Sequence, residues 1–197
     1  MSDLSRRELL RNIALSIGAA PLSMEAAQHV HNMAADDKAA TAGVYKPKAF
    51  TDHEYLTLQK LADYIVPADE HSPSGSQAGA PAFIDLLSSQ NAELAGIYTG
   101  GMAWIDRQME TRYKGNFLNA KPAEQTALLD LIAYKKNDSP ELGPGISFFT
   151  WVRKMVVDAF YTSPAGVKDL GYMGNTAVSK FEVPKEAVEY ALKRSPA

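Results

Sequence analysis

Tyr55, Leu58, Leu61, Ala62, Ile65 and Val66 recur at the spacing of one helix face, and the stretch that carries them has marked ends. It begins at Thr51-Asp52-His53-Glu54, where a threonine and a glutamate three residues apart can cap each other's backbone amides, with Phe50 placed to staple onto Tyr55. It stops at Pro67, which cannot continue a helix. The same punctuation returns at Pro81 and Pro122, each tolerated in a first helical turn because the missing amide hydrogen would have no partner there. No segment shows sustained period-two alternation between hairpin turns, so a β-rich domain is excluded and the chain is predicted to be all-α.

Four further helices follow from the same signals. One opens at Pro81 and carries Phe83, Ile84, Leu86 and Leu87. The next runs from Ala92 to Lys114, with Leu94, Ile97, Tyr98, Met102, Ile105 and Met109 on one face, Trp104 off that stripe, and Gly115 as the expected stop. Gly100-Gly101 in its middle costs on the order of 2 kcal/mol in propensity, and close helix packing is the favoured reason, ahead of a kink or a partner's backbone. A helix from Pro122 buries Leu128, Leu129, Leu131 and Ile132, with Lys135 and Lys136 suiting its C-terminal dipole. After the breaker-rich residues 137 to 145, Ser147 to Tyr161 is the most apolar segment and is expected at the centre. The expected architecture is an irregular bundle of about five main helices, preceded by an export signal.

The signal is read from Arg6-Arg7, which stand ahead of the uncharged run Ile13 to Met24. A basic start followed by an apolar run too short to span a bilayer is an export address, and paired arginines point to the twin-arginine route, which carries folded cargo. The alternative is an amphipathic first helix of the domain itself. Cleavage is expected but not placed; Ala26-Ala27 and Ala34-Ala35 are the nearest small pairs. The chain therefore divides into a signal segment at 1–35, a linker at 36–49 and a helical domain at 50–197. His29-Val30-His31 can bind metal in principle, but a solvated stretch is the favoured reading.

The sequence has 197 residues, no cysteine and a formal charge of -3. Zero cysteine excludes disulfides, iron–sulfur ligation, c-type haem attachment and thiol nucleophiles, and the even charge balance excludes phosphate-driven nucleic-acid binding. Dinucleotide, P-loop, zincin and nucleophile-elbow motifs are absent. Only His53, at a helix start, and His71, in the loop Asp69-Glu70-His71, are candidate general bases, and neither has an obvious nucleophile beside it. That acidic loop is read as solvated rather than metal-binding. No catalytic, cofactor-binding or metal-ligating residue is assigned. A stand-alone periplasmic helical enzyme using carboxylates and His71 is the alternative to a non-catalytic accessory subunit.

From Phe50 to about Phe181 the chain resembles the gluconate 2-dehydrogenase subunit 3 family. The resemblance rests on Ile65-Val66-Pro67-Ala68-Asp69, Ala78-Gly79-Ala80-Pro81-Ala82-Phe83-Ile84-Asp85, Tyr161-Thr162-Ser163-Pro164 and Leu170-Gly171-Tyr172-Met173-Gly174-Asn175. It implies a non-catalytic small subunit bound to a large FAD-dependent flavoprotein of the glucose-methanol-choline type, which oxidises a sugar or sugar acid and passes electrons to a cytochrome c that holds the haem. It further implies that the small subunit carries the signal, engages the twin-arginine translocase and takes its partner to the periplasm as a hitchhiker, in a complex associated with the inner membrane. No cofactor is expected in this chain. Tyr161, Pro164, Gly171, Tyr172, Gly174 and Asn175 are the candidate partner-binding residues, because the glycines permit close backbone approach and Tyr172 is an interface-type anchor.

Overall fold

The computed structural model describes residues 5–16, 23–171 and 183–194. Among these residues nine α-helices and one short 3-10 turn form the structure, with no strand: α1 Arg6–Ser16, α2 Met24–Ala40, α3 Asp52–Ile65, α4 Ala80–Ser88, α5 Ala92–Tyr113, α6 Pro122–Ile132, α7 Gly143–Thr162, α8 Pro164–Asp169 and α9 Lys185–Arg194. The all-α expectation holds, and the five helices anticipated from the sequence are α3 to α7.

The capping box at α3 forms in both directions: the Glu54 amide donates to Thr51 Oγ1 at 3.3 Å and the Thr51 amide donates to Glu54 Oε2 at 2.8 Å. Pro67 lies just beyond the α3 cap at Val66, as expected. The loop that follows is held against α3. Gly75 donates its amide to the Val66 carbonyl at 2.8 Å, and a Cβ on Gly75 would stand 2.7 Å from the Ala62 carbonyl oxygen, so only glycine fits there.

Two boundaries differ from expectation for local reasons. Lys114, at φ 62°, takes the left-handed cap of α5 in place of Gly115. Helix α6 ends at Ile132, and Lys135 lies in the 3-10 turn Lys135–Asn137 beyond it.

Helices α4 and α7 make the centre. Every residue of α4 is buried, and α7 packs on α2, α3, α4, α5, α6 and α8 through Phe148, Val152, Met155, Val156 and Ala159. Packing explains one half of the glycine pair in α5. A Cβ on Gly101 would fall 2.0 Å from the Phe148 ring, whereas nothing lies within 4 Å of one on Gly100. Trp104, off the α5 stripe, packs onto the core from its edge and lies against Gly145, where a Cβ would be 2.3 Å from the indole.

The N-terminal region departs most from the reading above. Leu10, Ile13 and Ala14 of α1 are buried, α1 packs on α2 and α4, and Asn91 Nδ2 donates to the Ala14 carbonyl at 2.9 Å. The described residues that follow the arginine pair thus form a helix with one face packed on the bundle. Helix α2 crosses the expected boundary between signal and linker, with Ala27 and Val30 fully buried. The linker assigned to 36–49 thus starts inside a helix, and its second half is pinned to the bundle core. No helix among the described residues is long and apolar enough to cross a membrane.

Candidate functional site

Asp85 organises the contact between the N-terminal region and the bundle. It is the one charged residue in the run Ala80–Ser88, and a carboxylate with no exposed surface must have its oxygens satisfied. Four donors do so. Oδ2 accepts from the Tyr45 hydroxyl at 2.7 Å and the Lys48 amide at 2.8 Å; Oδ1 accepts from the Ala49 amide at 2.9 Å and the Phe50 amide at 3.1 Å. Residues 45 to 50 are thereby drawn onto α4 just before the α3 cap. Tyr45 stacks on Tyr55 with ring centroids 5.6 Å apart. Burial first, and the Asp85 charge second, raise the pKa of both phenols far above the ordinary range, so they act as neutral donors and packing groups.

A second tie joins α2 to the end of α7. The Thr162 hydroxyl donates to the Asp158 carbonyl at 2.7 Å, so it receives a hydrogen bond from His31 Nε2, 3.1 Å away. The ring lies 4.7 Å from Phe83, and burial lowers its pKa to about 4, with the Ala159 backbone opposing, so His31 is neutral at pH 7. The solvated reading of His29-Val30-His31 is corrected here: helical spacing turns His31 inward beside the buried Val30. Among the described residues no group of three or more His, Asp or Glu side chains could hold a metal ion.

The remaining candidates are dispersed. Asp69 Oδ1 caps the turn of its own loop, accepting from the His71 and Ser72 amides at 2.7 and 2.8 Å, and those bonds hold its carboxyl below the usual range. His53 Nε2 meets Asp106 Oδ2 at 2.6 Å, while Asp106 Oδ1 accepts from the Phe117 amide at 2.9 Å. This pair ties the start of α3 to α5 and to the loop before α6. Nothing local in the sequence marks this pair, because His53 and Asp106 are 53 residues apart.

The expected partner-binding residues separate into two groups. Tyr161 and Pro164 stand at the sharp α7–α8 corner, where Ser163 Oγ donates to the Phe160 carbonyl at 2.6 Å and accepts from the Gly166 amide at 3.1 Å. The Tyr161 ring lies edge-on to Phe160 and remains partly exposed. A Cβ on Gly166 would be 2.1 Å from the Phe160 carbonyl oxygen, so this corner is closed by glycine. Gly171 follows α8 at φ 61°, the left-handed geometry that favours glycine. Tyr172, Gly174 and Asn175 lie outside the described residues, as do parts of the signal run.

The bundle onto which these ties fasten coincides with a family signature. A family model described as gluconate 2-dehydrogenase subunit 3 matches residues 52–179, from the first residue of α3 to beyond α8. The chain belongs to the gluconate 2-dehydrogenase subunit 3 family. The resemblance drawn from Ile65 to Asp69, Ala78 to Asp85 and the Tyr161 corner is thus shown, and the family is that of a subunit of a dehydrogenase complex. No curated protein and no solved structure matches the chain. Within this gluconate 2-dehydrogenase subunit 3 domain, Asp85 and the corner glycine Gly166 act on architecture, and no nucleophile–base arrangement emerges from them.

Proposed function

We propose that this chain is the non-catalytic small subunit of a periplasmic, FAD-dependent, cytochrome c-linked sugar or sugar-acid dehydrogenase, required for export and stability of the large flavoprotein subunit. The observation that carries the reading is the family match across the bundle from α3 to α8. The arginine pair Arg6-Arg7 supports the export half, since a signal on one subunit can take a folded partner through the twin-arginine translocase. FAD and haem c belong to the partners: the flavoprotein oxidises the substrate and a cytochrome c receives the electrons.

The test is expression of the chain alone, and together with a flavoprotein from an adjacent reading frame, followed by dye-linked oxidation of gluconate, glucose, fructose and glucosides in periplasmic fractions. Activity is expected only from the pair, and Arg6→Lys with Arg7→Lys is expected to leave both subunits in the cytoplasm. Turnover by the lone chain, or a flavoprotein that is exported and active without it, would overturn the proposal.

A further inference from the structure

Helices α5 and α7 run in opposite directions where they meet, Gly101 against Phe148 and Trp104 against Gly145. Beside that contact lies an open, largely apolar groove of about 290 Å³ lined by Ile97, Gly100, Trp104, Pro144, Phe148 and Trp151. It has room for a large aliphatic or aromatic side chain together with the backbone that carries it. The chain contains two tryptophans, and both are here, each half-buried with part of its ring open to the groove. Tryptophan is the residue type most enriched among those that dominate binding energy at protein interfaces.

Gly100 is an independent sign. Glycine inside a helix costs about 1 kcal/mol relative to alanine. Gly101 offsets that cost by admitting Phe148, but nothing stands within 4 Å of a Cβ on Gly100, so the fold of this chain gives no reason for it. A bare helix surface at an exposed position beside two tryptophans suits the close approach of another chain's backbone.

The charges around the groove select the occupant. Lys154 Nζ lies 5.9 Å over the Trp151 ring, and Arg107 borders the adjoining hollow with Gly100, Ala103 and Trp104. Arg107, Arg153 and Lys154 are all exposed, on a chain whose formal charge is -3. A partner segment with carboxylates on either side of an apolar side chain complements this surface. Helix α9 of the same chain has an open apolar face at Val188 and Leu192 and carries Glu186 and Glu189 around Val188, but its cations Lys185, Lys193 and Arg194 outnumber those carboxylates, so its net positive charge opposes Arg107 and Lys154.

We infer that the α5–α7 groove seats the dehydrogenase subunit, which inserts an apolar anchor between Trp104 and Trp151, lays its backbone over Gly100 and sets carboxylates against Arg107 and Lys154. The inference rests on the accessory-subunit reading above. The full chain labelled with 5-fluorotryptophan gives two fluorine resonances, one from each side of the groove, and is titrated with the unlabelled flavoprotein. Both resonances should move on binding. Gly100→Leu should weaken the complex at least tenfold while the free protein keeps its helical content and melting temperature.

A flavoprotein that binds the wild type and Gly100→Leu equally, without moving either resonance, overturns the groove assignment and leaves the accessory role standing. Absence of any complex with the wild type overturns both. Resonances that move with the chain's own concentration assign the groove to a second copy, and resonances that move on Leu192→Glu assign it to α9; either result overturns the inference.

Discussion

The Tyr45 hydroxyl donates to the Asp85 carboxylate at 2.7 Å, across an interval of 40 residues, and so joins the segment ahead of α3 to the most buried helix of the bundle. With the amides of Lys48, Ala49 and Phe50 on the same carboxylate, the contact is a charge-assisted network inside the protein. Its members should not contribute equally.

Asp85→Ala removes the acceptor for four donors at once, and the expected loss is about 3–5 kcal/mol, the range for stripping one partner from a buried charged network. Tyr45→Phe deletes a single bond and should cost about 1–2 kcal/mol. Urea denaturation of both variants, followed by circular dichroism, checks the order; equal losses would show that the backbone amides do not depend on the carboxylate.

The two neighbouring glycines of α5 should respond in opposite directions to the same substitution. Gly101→Ala pushes a methyl into the Phe148 ring and should destabilise by about 1–3 kcal/mol, whereas Gly100→Ala meets open space and should stabilise by up to about 1 kcal/mol. Melting temperatures of the two variants decide this. A destabilised Gly100→Ala would mean that the helix needs flexibility at that point.

His31 should make the fold sensitive to acid. Its pKa is lowered to about 4 by burial, while in the unfolded chain it stays near the ordinary value of about 6.5, so the unfolded state binds the proton first. Stability should be undiminished above pH 6.5 and should fall as the pH drops from about 6.5 towards 4, by roughly 3 kcal/mol as a ceiling. His31→Gln should flatten that part of the pH–stability curve. A wild-type curve with no slope in this window would mean that the ring is solvated.

His53 and Asp106 tie the start of α3 to α5. His53→Ala should leave dye-linked turnover of the dehydrogenase pair unchanged and cost at most about 1 kcal/mol, because the ring is partly exposed. Asp106→Ala should cost more, since it also frees the buried Phe117's amide. Activity assays alongside denaturation separate the two roles, and a large fall in turnover for a stable His53→Ala would revive an acid–base role.

Helix periodicity and local capping made α3 to α7 legible, because apolar stripes, Thr51, Pro81 and Pro122 act within a few residues of themselves. The region before α3 was less legible for the opposite reason. A short apolar run after two arginines is compatible with both an address and an amphipathic helix, and the burial of Leu10, Ile13 and Ala14 depends on Asn91 and α4, far along the chain. Asp85 left a usable trace, since a carboxylate amid Ala80–Leu87 has to find donors, but sequence could not say that they are mainly the amides of residues 48 to 50. The partners of His31 and His53 left no local trace. They are 131 and 53 residues away.

The packing of α2 limits where a peptidase can trim this chain. Ser23 accepts from the Ala26 amide at the start of that helix, and Val30 and His31 lie within it against the core. A cut at Ala26-Ala27 would discard the cap, and a cut after Ala34-Ala35 would strip the cover from Phe83 and leave Thr162 without His31. Both alanine pairs thus lie in a helix whose buried face covers the bundle, and trimming at either one would expose what that face covers.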